Sequence, residues 1–344
     1  MTIIKPSNIA PLALTMGDPS GIGLDLTITA WKMRDELELP AFIFIGDIRA
    51  LSERAAILNI DINITECQPK DAAHHFATSI PALHIPCPHH VTIGAPSSEN
   101  APAIIGSIET AVQLCKTGDV SGVVTNPIAK SVLYDAGFSH PGHTEFLAEL
   151  CKGNADKAPL PIMLLAGPEL KSVPVTIHIP LMKIMDYLTT DLIIETAQIT
   201  AQDLTKRFGI KNPRLAISGL NPHAGEDGAL GHEDADIIQP AIEALLAQGL
   251  DVIGPLPADT MFHEDARKTF DVAICMYHDQ ALIPAKALGF HDAVNATLGL
   301  DIIRTSPDHG TAFSIAGKNI ARHDSLVAAL HMAHDMALNQ SRSI

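Results

Sequence analysis

Three histidines carry most of the chemistry that this sequence suggests. His178 sits in Val173-Pro-Val-Thr-Ile-His-Ile-Pro180, His223 in Ser218-Gly-Leu-Asn-Pro-His-Ala-Gly225, and His278 in Cys275-Met-Tyr-His-Asp-Gln280. Each stands beside a strand-like apolar run and is followed by turn residues or an acid. A strand delivers such a side chain to the edge of a sheet, where open α/β folds place their ligands. Three imidazoles delivered in this way can surround one divalent metal and leave a coordination position for substrate. Any one of them, taken alone, reads sooner as a hydrogen-bonded structural histidine than as a ligand; the repetition of the pattern is what favours ligation. Downstream, Lys286, Asn295 and Arg304 lie among apolar residues. Alone, each charge would be an ordinary solvated one, but together they suit a phosphate or carboxylate clamp, with Arg as a two-pronged donor and Lys as a point charge. Gly142-His-Thr-Glu145 opens an apolar helical stretch. Thr144 is either a plain N-cap, or a cap beside which His143 and the helix amides face an anion.

The elements that must position these residues alternate along the chain. Strand-like runs fall at Pro11–Thr15, Ala41–Ile45, Gly122–Thr125, Pro161–Leu165, Val173–Ile179, Arg214–Ser218, Asp271–Met276 and Ala293–Leu298. Amphipathic stretches include Ala101–Lys116, Asp191–Phe208, Asp234–Gln248 and Ser325–Asn339. The alternation predicts an α/β fold with a largely parallel sheet covered by helices on both faces. Gly118 and Gly209 mark helix ends. The first strand-to-helix turn, Thr15-Met-Gly-Asp-Pro-Ser-Gly-Ile-Gly23, lacks the third glycine of a dinucleotide fingerprint and the lysine of a phosphate loop, so it reads as a tight turn. There is no Gly-x-Ser-x-Gly elbow for nucleophilic hydrolysis. The sequence has no internal repeat and no Gly/Ser/Pro-rich linker, and composition marks no domain boundary.

Composition narrows the classes further. The 344 residues suffice for two domains, and the 47% hydrophobic and 18% charged shares are those of a globular protein. A net charge of -16 argues against nucleic acid or an anionic membrane as partner. The five cysteines (Cys67, Cys87, Cys115, Cys151 and Cys275) are scattered, so neither a disulfide framework nor a thiolate zinc site is expected. The amino terminus lacks a signal-peptide profile and no apolar run suits a membrane helix. These features predict a cytoplasmic protein.

Six motifs, in order, carry a family resemblance: Thr15–Gly23, Val124-Thr-Asn-Pro-Ile-Ala-Lys130, Gly142-His-Thr-Glu145, Gly219-Leu-Asn-Pro-His-Ala-Gly-Glu226, Tyr277-His-Asp-Gln280 and Arg304-Thr-Ser-Pro-Asp-His-Gly-Thr311. From about residue 11 to about residue 335 the chain resembles the 4-hydroxythreonine-4-phosphate dehydrogenases of pyridoxal 5'-phosphate biosynthesis. The resemblance implies an isocitrate/isopropylmalate dehydrogenase-like fold with two α/β/α domains and an active-site cleft between them. Residues 1–125 plus 300–344 would form the first domain and residues 126–299 the second. It implies NAD or NADP as cofactor, one divalent metal (Zn, Mg or Co) on His178, His223 and His278, and substrate contacts from His143, Thr144, Lys286, Asn295 and Arg304. The implied reaction oxidises 4-phosphooxy-L-threonine to 2-amino-3-oxo-4-phosphooxybutanoate, which decarboxylates to 3-amino-2-oxopropyl phosphate.

The resemblance also implies a homodimer with active sites at the interface. With His178 and His278 expected on widely spaced strands, ligands from two chains would then meet. Asp279 is placed to orient the His278 ring or to face solvent, and the sequence identifies no general base. Ser20, Leu24, Asp25 and Asp301 depart from the family's usual residues, and Asp301 is close enough in sequence to Arg304 to reorient an anion. A paralogous dehydrogenase of 4-phospho-threonate or erythronate shares most of the motifs. A metal-dependent hydrolase or lyase of a phosphorylated sugar, or a non-catalytic phosphometabolite binder, would also suit the residues.

Overall fold

The computed structural model describes residues 9–138, 140, 142–153, 155–289 and 292–342. The chain divides into two compact units, residues 1–159 with 300–341 and residues 160–299 with 342–344. The sequence reading began the second domain at residue 126; in the structure residues 126–159 belong to the first unit. The physical reason is that the helix His143–Cys151 packs on the helix Ala101–Thr117.

In the first unit β1 (Leu12–Thr15), β2 (Phe42–Gly46), β3 (Ile64–Glu66), β4 (Ile80–His84) and β5 (Val123–Thr125) form a parallel sheet in the order β3-β4-β2-β1-β5. Leu-Ala-Leu-Thr of β1 and Phe-Ile-Phe-Ile-Gly of β2 are buried throughout. Continuous apolar runs of this kind mark parallel strands covered on both faces. The order reverses direction at β1 and β5, the kind of switch point where loops at strand carboxyl ends gather around ligands.

In the second unit β6 (Ile162–Ala166), β7 (Lys171–Thr176), β8 (Arg214–Ser218), β9 (Asp251–Leu256), β10 (Val272–Tyr277) and β11 (Val294–Leu298) lie in the order β11-β6-β7-β10-β8-β9. The pairs β7–β10, β10–β8 and β8–β9 are parallel, and β11–β6 and β6–β7 are antiparallel. The chain then returns to the first unit as β12 (Arg304–Pro307), parallel to β5. The sequence reading found neither β3, β4, β9 nor β12. Gly118 does end its helix in the left-handed conformation at φ 82°, the geometry glycine adopts without a Cβ penalty. Among the described residues no helix is long and apolar enough to cross a membrane.

The first turn is anchored from below by a buried ion pair. Arg54, on the helix Ile48–Ile57, is 2% exposed and donates to the carbonyls of Gly21 (2.8 Å) and Pro19 (2.9 Å) and to the Asp25 carboxylate. The other Asp25 oxygen accepts the Gly317 amide at 2.7 Å. Removing one partner of a buried pair leaves an uncompensated charge. We therefore expect Asp25→Ala to cost about 3–5 kcal/mol in urea unfolding. Glu264→Ala, which breaks an exposed pair with Lys268, should cost under about 0.5 kcal/mol. Equal midpoint shifts for the two variants would contradict this reading of the pair.

Candidate active site

The three histidines follow the carboxyl ends of three strands that are immediate neighbours in the second unit, β7, β10 and β8. This corrects the expectation that His178 and His278 lie on widely spaced strands. Thr176 is in register with Tyr277, so the residues just beyond each come together within one chain. The rings of His178 and His278 lie 5.6 Å apart, centroid to centroid, tilted by 41°. The expected strand 173–179 stops at Thr176, and His178 takes a left-handed φ of 53°. Non-glycine residues held there are strained and cluster at functional sites. His278 opens the helix His278–Leu288, and its Nδ1 lies 2.7 Å from Oδ1 of Asp279. That contact holds the ring and leaves Nε2 available, the arrangement usual for a metal-ligating imidazole. Lys286 lies near the end of the same helix and Asn295 on β11, both half-buried.

His223 is presented differently. It lies in Pro222–Gly228, where five consecutive residues, His223 to Asp227, have φ between 44° and 83°. This left-handed turn leaves His223 exposed. No three His, Cys, Asp or Glu side chains among the described residues converge as a metal-holding group. The structure thus brings two of the three expected ligands together, and His223 stands on a turn rooted beside them. Two imidazoles at this spacing suit a divalent ion that needs further ligands. The turn is fixed at its base by Asp234, which is 3% exposed. Its carboxylate accepts the amides of Leu220 (2.8 Å) and Asn221 (3.0 Å). Sequence reasoning missed this residue. A buried acid 11 residues beyond the histidine carries no short-range signal, as the numbering of the two positions shows.

The remaining expected contacts Arg304, His143 and Thr144 lie in the first unit. Arg304, at the start of β12, is 4% exposed and donates from Nε (3.2 Å) and Nη2 (2.8 Å) to the Thr125 hydroxyl on β5. Burial lowers its pKa to about 10, so it remains a cation at neutral pH. His143 is the first residue of its helix, and Gly142, extended at φ -169°, is the N-cap. Thr144 consequently lies inside the first turn rather than capping it. Burial, then the charges of Arg304 and Lys130, hold the His143 ring well below its usual pKa and therefore neutral. Its Nε2 is sealed from water with no hydrogen-bond partner. A helix N-terminus, two cations and an orphaned ring nitrogen are the kind of groups that suit an anion. Lys130 was not among the predicted site residues, although its motif was recognised; the Lys130 Nζ lies 3.2 Å from where a Cβ on Gly142 would be. Asp301 lies instead against the Cys151 thiol, whose pKa it raises after burial has done so.

The first turn takes its glycines from loop packing. A Cβ on Gly17 (φ 69°) would sit 2.7 Å from both Asn126 Cβ and the Pro127 carbonyl. The Asp18 backbone amide donates to that carbonyl at 3.0 Å, and the Asn126 side-chain Nδ2 donates to the Thr15 carbonyl at 3.0 Å. Burial raises the Asp18 pKa, and Oδ2 of Asp18, Oγ1 of Thr15, Oδ1 of Asn126 and Nε2 of His309 are buried without partners. These segments all follow strand carboxyl ends, and so many orphaned polar atoms call for a polar ligand or ordered water.

A family profile described as "Pyridoxal phosphate biosynthetic protein PdxA" matches residues 38–333. The chain is 52% identical over 340 residues to a protein of Methylorubrum populi named 4-hydroxythreonine-4-phosphate dehydrogenase, covering 98% of this chain and 97% of that one. A protein of the same name from Xanthobacter autotrophicus is 51% identical, with 97% and 95% covered. A crystal structure of a 4-hydroxythreonine-4-phosphate dehydrogenase from Burkholderia phymatum superposes with a TM-score of 0.83 at 33% identity, covering 96% of this chain and 99% of that chain. A beta-decarboxylating dehydrogenase from Thermococcus kodakarensis shares the fold alone, with a TM-score of 0.50, 12% identity, and 95% and 83% of the two chains covered. The fold is thus the expected α/β architecture of the isocitrate/isopropylmalate dehydrogenase type, and the chain belongs to the PdxA family of pyridoxal phosphate biosynthetic proteins.

Proposed function

We propose that this protein is a 4-hydroxythreonine-4-phosphate dehydrogenase that oxidises 4-phosphooxy-L-threonine at its secondary hydroxyl, with NAD or NADP as hydride acceptor. The observation that carries the proposal is the placement of His178, His278 and His223 after three neighbouring strands, with two of the rings 5.6 Å apart. Membership of the family agrees with it. His178, His223 and His278 would hold one divalent ion, Zn, Mg or Co. Bound there, such an ion supplies Lewis acidity that lowers the pKa of the substrate hydroxyl. Asp279 keeps the His278 ring oriented through Nδ1.

The substrate phosphate is held by Arg304, Lys130 and the His143 helix N-terminus, with Thr144, Lys286 and Asn295 as further contacts. Neutral His143 can donate to a phosphate oxygen from a ring N–H without adding charge, while Arg304, oriented by Thr125, supplies the cation that pairs with it. Binding energy at the remote phosphate fixes the reacting carbon. Hydride leaves that carbon and the hydroxyl proton is lost, giving a ketone β to the carboxylate. Carbon dioxide then departs because its electron pair is delocalised into the new carbonyl. We further propose that the enzyme acts as a cytoplasmic homodimer. Leu181, Met182 and Tyr187, 68%, 90% and 57% exposed, follow His178 closely and offer an apolar face to a second copy.

NADH formation should be fastest, by kcat/KM, with 4-phosphooxy-L-threonine, compared with 4-phospho-threonate and 4-phospho-erythronate. A preference for either acid would move the protein to the paralogous activity. His178→Ala, His223→Ala and His278→Ala should each abolish turnover and lower bound metal while leaving the far-UV spectrum unchanged. Full activity in any one of them would remove that ligand from the account. Arg304→Lys should lower kcat/KM by about tenfold to a hundredfold, the worth of a charge-assisted hydrogen bond of roughly 1.5–3 kcal/mol, with little change in NAD affinity. Equal losses in substrate and NAD affinity would show that Arg304 is not dedicated to the phosphate.

A further inference from the structure

The turns that bear His278 and His223 are joined by one buried side chain. Gln280, 8% exposed, lies two residues beyond His278 in the first turn of its helix. Its Oε1 accepts from the Met276 amide at 2.7 Å and from the Ser218 hydroxyl at 2.8 Å, and its Nε2 donates to the Gly219 carbonyl at 2.7 Å. Met276 precedes the His278 turn on β10. Ser218 ends β8, and Gly219 begins the segment leading to His223. The amide thus spans the two strands just below both histidines. The strands themselves pair only as far as Ile274 with Ile217, so beyond that point Gln280 links them side chain to backbone.

On the far side of β10, the Thr176 hydroxyl donates to the Met276 carbonyl at 2.7 Å, tying in the strand that precedes His178. Asp234 continues the chain from Gly219 by holding the Leu220 and Asn221 amides. A Cβ on Gly219 would lie 2.7 Å from Asp234 Oδ1 and 2.8 Å from Ala224, so this point has no slack. All three hydrogen bonds require an amide, with an acceptor at one end and a donor at the other.

We propose that Gln280 is a positioning residue for the metal centre, setting the separation between the His278 turn and the His223 turn so that His223 can complete the ligand set. The proposal rests on the three-histidine reading above. Gln280→Glu preserves shape and the two bonds at Oε1, but it turns an acceptor toward the Gly219 carbonyl and so releases only the His223 side. Its effect must then pass through His223, which a double-mutant cycle reads directly.

The measurement is Co²⁺ affinity by titration of metal-free protein, for the wild type, Gln280→Glu, His223→Ala and the double variant. Gln280→Glu should weaken Co²⁺ binding by about tenfold to a hundredfold, the usual cost of losing a residue that orients a ligand. The same change in the His223→Ala background should add little. Equal weakening in both backgrounds, or wild-type affinity in Gln280→Glu, would overturn the proposal while leaving the metal centre standing. A wild-type protein that takes up no stoichiometric Co²⁺ would instead overturn the metal reading, and this inference with it. Should Gln280→Glu not fold, Ser218→Ala removes a single bond of the three and runs through the same cycle, with an expected loss of about threefold to tenfold that again disappears without His223.

Discussion

Parallel pairing of β7, β10 and β8 is the constraint on which the proposed chemistry depends. Parallel neighbours end on the same edge of a sheet, so three histidines separated by 45 and 55 residues in sequence, as their positions 178, 223 and 278 give, arrive at one edge. Backbone pairing sets this only coarsely, and side chains refine it. Thr176 ties the central strand to β7 at their last ladder pair, and Gln280 ties it to β8 beyond theirs. A one-residue slip of β8 would carry Ser218 to the other face and break the link to Gln280.

The two units differ in what they bury. The chain carries -16 overall, yet the first unit buries Arg304 beside Lys130 and a neutral His143. Desolvation makes a buried guanidinium costly, and a dianionic phosphate would relieve that cost. The second unit holds two of its proposed ligands in strained backbone. His178 and His223, two of the three proposed ligands, both adopt left-handed φ, which costs of order 1–3 kcal/mol each and persists only where the surroundings enforce it. For His223 the enforcing contacts are those of Asp234 and the segment after Gly219.

Much of this was legible in the sequence because buried parallel strands announce themselves as apolar runs. Eight strands were read within two or three residues, and the three-histidine pattern was drawn from them. β12 escaped because Arg-Thr-Ser-Pro is polar, although all four residues are buried; it is a strand for the sake of its neighbour β5 and of Arg304. β3 is three residues long and only half-buried, and β9 is an edge strand carrying Pro255. Strand order was invisible as well, since periodicity says nothing of which strands are adjacent. That is why His178 and His278 were expected far apart. Lys130 and Gln280 stood inside recognised motifs and Asp234 outside them, but the contacts of Gln280 with Ser218 and Gly219 and of Asp234 with Leu220 and Asn221 are tertiary ones that no local pattern shows.

The most direct measurement is a crystal structure of the Co²⁺-loaded protein with the metal located by its anomalous signal. The account predicts one cobalt per chain, bound by imidazole nitrogens of His178, His223 and His278 of the same chain at about 2.0–2.1 Å, values typical of a metal–imidazole bond. Cobalt bound without His223, or with His178 and His278 drawn from different chains, would contradict it.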